Sequence, residues 1–205
     1  MTPRFRRHTR RSIRLQKWNY ADNAHYFVTI CSHERDCIFG HVTSGRMKSN
    51  RNGEIAQNVW NALPGRFPVA IDAFQIMPNH IHGIITMGRV GVSFMKPHLG
   101  RDESIGRDKS RPYGDAFDIA KSHRHMGLIK QSQITLGHVI RHFKAKCSFE
   151  IHKSGFNQKI WQRNYYEHII RNERDLIKIR KYIQINPLIW EQDKNHPTNL
   201  QGFHL

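Results

Sequence analysis

Two rhythms of apolar residues run along this chain. The run His25-Tyr26-Phe27-Val28-Thr29-Ile30-Cys31 is dense in aromatic and β-branched side chains and predicts a buried strand. Cys37 to Val42, a Thr43-Ser44-Gly45 turn and Arg46 to Lys48 suit a short hairpin. Ile55, Val59, Trp60 and Leu63 then follow helical spacing, with Asn52 as a candidate cap and Pro64-Gly65 as the stop. Val69 to Met77 predicts a second strand, Pro78-Asn79 a turn, and His80 to Met87 a third. From Ile134 to Ile151 the positions of Leu136, Val139, Ile140 and Phe143 give a helical stripe. Ile160 to Ile170 is a strand candidate broken by polar residues. A last helix starts at Glu173, capped by Asn172, with Leu176, Ile179 and Ile183 facing a core, and Pro187 stops it.

This β-α-β-β-α-β-α order predicts an α+β fold, an antiparallel sheet with helices packed mainly on one face. Residues 88–133 break the pattern. They are rich in Gly, Ser, Arg, Lys and His and are longer than an ordinary connection inside a compact domain, so they are expected to form a flexible insertion. The organisation expected is a basic arm over 1–20, one domain over 21–190 and a C-terminal tail over 191–205.

Charge narrows the partners. Lys and Arg total 33 against 16 acidic residues, a formal net charge of +17, and the mean hydropathy is −0.66. No apolar run approaches the ~18 residues of a membrane span, and no apolar stretch follows the basic N-terminus as in a secretory signal. Three cysteines without C-x-x-C spacing argue against a disulfide framework or a zinc ribbon. A cytoplasmic protein with a polyanionic partner is the expectation. Arg4, Arg6, Arg7, Arg10, Arg11, Arg14 and Lys17 fall in the arm without one acid among them, and Phe5, Ile13 and Leu15 are interleaved. That suits phosphate tracking, although a merely solvating tail has the same composition.

With 15 histidines in the chain, a single one means little. His80-Ile81-His82 is different, because residues i and i+2 of a strand face the same way. Two imidazoles on one sheet face, with a hydrophobe turned behind them, make half of a divalent-metal site; two solvated histidines would have the same spacing. His123-Arg124-His125 repeats it inside the insertion, where a solvated loop is the better reading. His138 and His142 are i, i+4 on a helix, but Val139 stands where a zinc protease needs Glu. Arg141, Lys144 and Lys146 lie off the stripe of the same helix and are candidate phosphate contacts. Tyr182 and Asn186 are i, i+4 on the last helix and share a face beside its core stripe. An ordinary half-buried tyrosine would sit there too, and Tyr165, Tyr166, Glu167 and His168 are further candidates.

Met-Pro-Asn-His-Ile-His-Gly around His80 and His82 resembles the His-hydrophobe-His (HUH) motif of single-tyrosine transposases. The run Trp161 to Asn172, followed by Tyr182-Ile183-Gln184-Ile185-Asn186-Pro187, resembles the REP-associated branch of that family, as do Arg11 to Leu15 and Tyr26 to Cys31. The resemblance leaves residues 88–133 uncovered. It implies a ferredoxin-like (RRM-like) sheet and an enzyme that cuts and rejoins single-stranded DNA, often at a hairpin. Tyr182 matches the family's nucleophile; Tyr165 and Tyr166 match less well. His80 and His82 match its metal ligands. One turn after the tyrosine, insertion-sequence relatives usually carry a glutamine; here Asn186 takes that place, with His168 as the alternative third ligand.

The residue types suit the implied chemistry. A metal held by His80 and His82 would neutralise the scissile phosphate, and attack by Tyr182 would give a 5′-phosphotyrosine and a free 3′ hydroxyl. Mg²⁺ or Mn²⁺ suits a site completed by a carbonyl and phosphate oxygens, while imidazoles alone would also take Zn²⁺. The expected partner is single-stranded or hairpin DNA, bound by a monomer or a homodimer. Two other readings stand beside this one: a non-catalytic single-stranded DNA- or RNA-binding module on the same sheet, and a relaxase or replication-initiator nickase.

Overall fold

The computed structural model describes residues 18–88 and 134–200. The basic arm up to Lys17 and most of the 88–133 insertion lie outside the described residues, and with them His123 and His125. Strand β1 (His25–Cys31) is followed by the hairpin β2 (Gly40–Thr43) and β3 (Arg46–Ser49), helix α1 (Arg51–Asn61) and strands β4 (Val69–Ile76) and β5 (His80–Met87). Helix α2 (Leu136–Lys153), strand β6 (Tyr166–Ile170), helix α3 (Glu173–Ile185), a 3₁₀ segment (Asn186–Gln192) and the short α4 (Pro197–Leu200) complete the described chain.

The main sheet is antiparallel with strand order β4-β5-β1-β6, and β2-β3 forms a separate two-stranded ribbon. This is the α+β fold that the order of elements predicts, in the ferredoxin-like arrangement that the family resemblance implies. Helices α1 and α2 cover one face, where Tyr26, Val28, Ile30, Ile81 and Ile85 of the sheet meet Trp60, Val139, Ile140 and Phe143. Helix α3 lies on the other, where Phe27, Ile84 and Ile170 meet Leu176 and Ile183. Being covered on both faces, β1 can be apolar almost throughout.

One glycine shapes the larger core. A Cβ on Gly83 would come within 2.4 Å of Cζ2 of Trp60. Its absence lets the indole lie against β5, stacked on Phe74 at 4.7 Å and edge-on to Phe143 at 5.5 Å.

Several elements differ locally from those the sequence predicts. The cap of α1 is Asn50, whose side chain accepts from the Gly53 N–H at 3.1 Å. Asn52 is buried in the first turn and donates to the Ile38 carbonyl instead. The strand expected over Ile160 to Ile170 is confined to Tyr166–Ile170. Trp161 makes an isolated antiparallel bridge to Ser32, but beyond it the Lys144 ammonium holds the carbonyls of Gln162 and Asn164, at 2.7 and 2.6 Å, and Asn164 has a φ of 65°, so the pairing is interrupted before β6. Residues beyond 190, expected as a tail, pack back onto the sheet: Asp193 and Asn195 are buried.

Candidate functional site

Strand β5 turns Ile81 into the core of the α1/α2 face and His80 and His82 toward the opposite face. Both histidines are buried, and their Nε2 atoms lie 3.0 Å apart. Each Nδ1 is anchored. That of His80 lies 2.8 Å from Oδ1 of Asn79, and that of His82 lies 3.0 Å from Oγ1 of Thr29, its register partner on β1. A carbonyl oxygen only accepts, so His80 donates from Nδ1, and its neutral ring turns the Nε2 lone pair toward His82. The Thr29 hydroxyl can donate or accept, so His82 can carry its hydrogen on either nitrogen. Burial, with Arg35 and Lys194 nearby, pushes the His80 pKa down to about 3. Burial and then His80 itself hold His82 well below the usual range, with Asp193 opposing. Both imidazoles are therefore neutral at pH 7, as metal ligands must be.

The third member comes from beyond α3. Pro187 ends the helix, the 3₁₀ segment reverses the chain, and Asp193 arrives with Oδ2 3.9 Å from Nε2 of His80. Among the described residues, His80, His82 and Asp193 form the one group of His, Cys and acidic side chains spaced to hold a metal, their ligand atoms within 4.8 Å of one another. Asp193 is held on both sides: Oδ2 accepts from Nδ2 of Asn186 at 3.0 Å and Oδ1 from the Asn195 N–H at 2.6 Å. Asn79 ties the arrangement together, donating through Nδ2 to the carbonyls of Arg35 and Asn195. The Arg35 guanidinium in turn donates to the Asn195 side chain.

These residues fit a divalent cation. Two neutral nitrogens and a carboxylate oxygen converge on one point. Oδ1 of Asn186 is also buried there without a hydrogen-bond partner, a cost a native fold rarely leaves unmet. The Nε2–Nε2 spacing of 3.0 Å matches adjacent ligands about 2.1 Å from an octahedral ion.

Tyr182, on the inner face of α3, sits over this cluster. Its hydroxyl lies 3.3 Å from Nε2 of His82, and its ring is edge-on to His82 at 5.2 Å and to Phe27 at 6.0 Å. Burial raises its pKa, Asp193 adds to the rise, and an Asn186 hydrogen bond opposes them. At neutral pH the side chain is a phenol.

The structure thus brings together His80, His82, Tyr182 and Asn186 of the residues singled out in the sequence. His168 is exposed on β6 and lies outside the cluster. Tyr165 packs on the α1/α2 face, across the sheet from the histidines, and Tyr166 is exposed. Arg141, Lys144 and Lys146 are on α2, also across the sheet. Arg141 is exposed, Lys146 pairs with Glu150 at 2.6 Å, and Lys144 is committed to the two loop carbonyls, with burial lowering its pKa to about 8. His138 accepts from the Thr135 N–H at the start of α2, and His142 lies edge-on to Phe67. Thr29, Asn79 and Asp193 are the members that sequence reasoning missed. Asn79 stood in the quoted motif, and its contact with the next residue was the available signal; nothing in the spacing tied Asp193 to His80.

Fold and site define the class: a ferredoxin-like sheet with a buried His-His-Asp cluster beneath a helix tyrosine. No family model matches the sequence. The chain is 38% identical over 188 residues to an uncharacterized protein of Haemophilus influenzae, covering 91% of this chain and 93% of that one. It belongs to the same family as that protein. A solved structure of a REP-associated tyrosine transposase bound to a REP hairpin has the same fold, with a TM-score of 0.51 and 18% identity over 89% of this chain and 77% of that one. A candidate transposase from Deinococcus radiodurans is more distant, with a TM-score of 0.42 and 9% identity over 84% of this chain and 96% of that one.

Proposed function

We propose that this chain is an endonuclease and strand transferase that cleaves and rejoins single-stranded DNA at hairpin sequences through a covalent Tyr182 intermediate. The observation that carries the reading is the approach of the Tyr182 hydroxyl to within 3.3 Å of His82, above a cluster able to hold a metal ion. A nucleophile and a metal site one contact apart are the two parts that phosphodiester transfer requires. The formal charge of +17 suits a nucleic-acid substrate, and a protein of this fold has been solved with a REP hairpin.

His80, His82 and Asp193 would hold the ion, with Asn186 Oδ1 as a fourth donor; the carboxylate and amide oxygens favour Mg²⁺ or Mn²⁺. Bound there, the ion would neutralise and orient the scissile phosphate. Tyr182 Oη attacks phosphorus, the Oη–P bond forms and the P–O3′ bond breaks. The phenol loses its proton as the departing 3′ oxygen gains one, so the step is balanced. Because the phosphotyrosine conserves the ester bond, a second 3′ hydroxyl can reverse the reaction and join a new strand. Arg35 and Lys194, whose charges reach the histidines, add positive potential for the incoming phosphate. The arm arginines Arg4, Arg6, Arg7, Arg10, Arg11 and Arg14, with the exposed Arg141, are candidates for further phosphate contacts.

The binding-module reading has less support. RRM-type modules stack bases on an open sheet face, whereas here α3 packs Leu176 and Ile183 against Phe27 and Ile84. Incubation with labelled hairpin DNA and Mn²⁺ on a denaturing gel tests the proposal. A metal-dependent adduct lost in Tyr182→Phe and His80→Ala but kept in Tyr165→Phe is expected. Tight binding without adduct or cleavage would favour the binding module.

A further inference from the structure

Beside the cluster, between β6 and α3, lies an open groove of about 260 Å³ lined by Phe27, Tyr166, His168, Asp175, Lys178 and Ile179. We infer that this groove binds one unpaired nucleobase of the DNA strand, next to the scissile phosphate, with Tyr166 as its stacking platform. The inference rests on the DNA-cleavage reading above.

Position is the first argument. The Phe27 ring is a wall common to both sites: it stacks on His82 at 5.3 Å and lies edge-on to Tyr182 at 6.0 Å, while Tyr166 approaches it edge-on at 6.5 Å. On α3, Lys178 precedes Tyr182 by four residues, so the groove opens one helical turn, about 5.4 Å, from the nucleophile. A strand whose phosphate meets Tyr182 can lay a neighbouring nucleotide there.

The chemistry is the second. Tyr166 is 53% exposed, one of four large apolar side chains left so open among the described residues. The Lys194 ammonium lies over one face of the Tyr166 ring, 5.7 Å from the centroid, which leaves the other face for a base and sets a cation near the phosphate attached to it. Phe27 and Ile179 make the floor apolar, while His168 and Lys178 supply a polar, partly cationic rim. Asp175 offers a carboxylate, one oxygen of which already accepts from Asn172, so the rim can also meet a base amino group. The volume is below the ~300–1,000 Å³ typical of sites for drug-sized ligands, in keeping with a single base. An aromatic platform beside lysines is how unpaired strands are held, by stacking on the ring and charge along the backbone.

The test uses the full chain and a labelled hairpin oligonucleotide with a single-stranded flank, with one abasic site walked along the flank. Anisotropy without metal reads binding, and a denaturing gel with Mn²⁺ locates the cut. Tyr166→Ala should weaken binding roughly 5- to 150-fold, the range for losing one base–aromatic stack, and Tyr166→Trp should restore it. One abasic position, beside the cleaved bond, should weaken binding to the wild type by a similar factor and leave Tyr166→Ala unaffected. Binding by Tyr166→Ala within twofold of wild type, or an abasic penalty that persists in that variant, would overturn the inference. Adduct formation without any Tyr166 effect would sink the groove alone. Binding that depends on Tyr166 and one base, without adduct, would uphold base binding and refute cleavage.

Discussion

Replacing Asp193 with Asn removes one negative charge from the cluster and turns the atom that accepts from Nδ2 of Asn186 into a donor, so that Asn186 must present its own Oδ1 there. The remaining Oδ1 can still accept from the Asn195 N–H, now 2.6 Å away, so the backbone there keeps its anchor. The carboxylate lies 3.9 Å from Nε2 of His80, and an ion between them would lie closer to both. A pair of unit charges about 4 Å apart is worth about 4 kcal/mol at the effective dielectric of 20 that suits such sites. A divalent ion gains more from the carboxylate, and with Oδ1 kept on the Asn195 N–H the amide turns a nitrogen toward it in place of Oδ2. Taking about 4 kcal/mol as the scale, and 1.4 kcal/mol per decade, the Mn²⁺ dissociation constant should rise by two to three orders of magnitude. Isothermal titration of the full chain with Mn²⁺ measures it, with the melting temperature recorded alongside and His168→Ala as a control expected to change little. A Kd for Asp193→Asn within threefold of wild type, in a protein that melts normally, would refute the role of Asp193. A loss of affinity in His168→Ala instead would move the third ligand to β6.

Other consequences follow from the same geometry. Gly83→Ala drives a Cβ to 2.4 Å from an indole fixed between Phe74 and Phe143, so urea unfolding should show about 1–3 kcal/mol of lost stability, as overpacking does; unchanged stability would mean that the Trp60 pocket yields easily. Asn79→Ala removes the acceptor that orients His80 and the clamp on Asn195, and loss of such a supporting contact should weaken Mn²⁺ binding about 10- to 100-fold; equal affinity would show that strand geometry alone orients the imidazole. Asp72 joins β4 to α3 through a two-pronged pair with Arg180, at 3.1 and 2.5 Å. Burial raises its pKa, but hydrogen bonds from Arg180 and the Ala73 N–H outweigh that and leave it lowered. A depressed folded pKa gives stability that is present above the unfolded value of about 4 and is lost as pH falls through the folded one. Both groups are partly exposed, so the pair is worth at most about 1 kcal/mol. The stability gap between wild type and Asp72→Asn should therefore close between pH 5 and pH 2; a gap of constant size would contradict the pairing.

Local patterns carried much of the fold. The aromatic and β-branched run of β1, the alternation in β5, the stripe of α2 and the Asn172 cap of α3 each record a requirement that lies within a few residues. The i, i+2 pair His80 and His82 and the i, i+4 pair Tyr182 and Asn186 were legible for the same reason: strand and helix periodicity puts each pair on one face. What joins the two pairs is the packing of α3 on the sheet, and no spacing reports that. Asp193 was illegible for a stronger reason. It reaches His80 through a chain reversal after Pro187 and through a clamp on Asn195 made by Asn79, 116 residues away. The cap of α1 was misplaced because Asn50 and Asn52 are both plausible caps locally; both donate to the Ile38 carbonyl from the segment before β2, and it is Asn50 whose Oδ1 accepts from the Gly53 N–H. The stretch before β6 reads as strand because Ile160 and Trp161 are apolar, and Trp161 does bridge to Ser32, but Lys144 holds the carbonyls beyond them and interrupts the pairing.

The central claim is that Tyr182 becomes joined to DNA. After incubation of the full chain with hairpin DNA and Mn²⁺, nuclease and protease digestion followed by mass spectrometry locates any nucleotide-bearing residue. The account predicts a nucleotide 5′-phosphate on the peptide containing Tyr182, present only with metal and gone in His80→Ala. A nucleotide on Tyr165 or Tyr166, or DNA cleaved with no modified tyrosine, would contradict it.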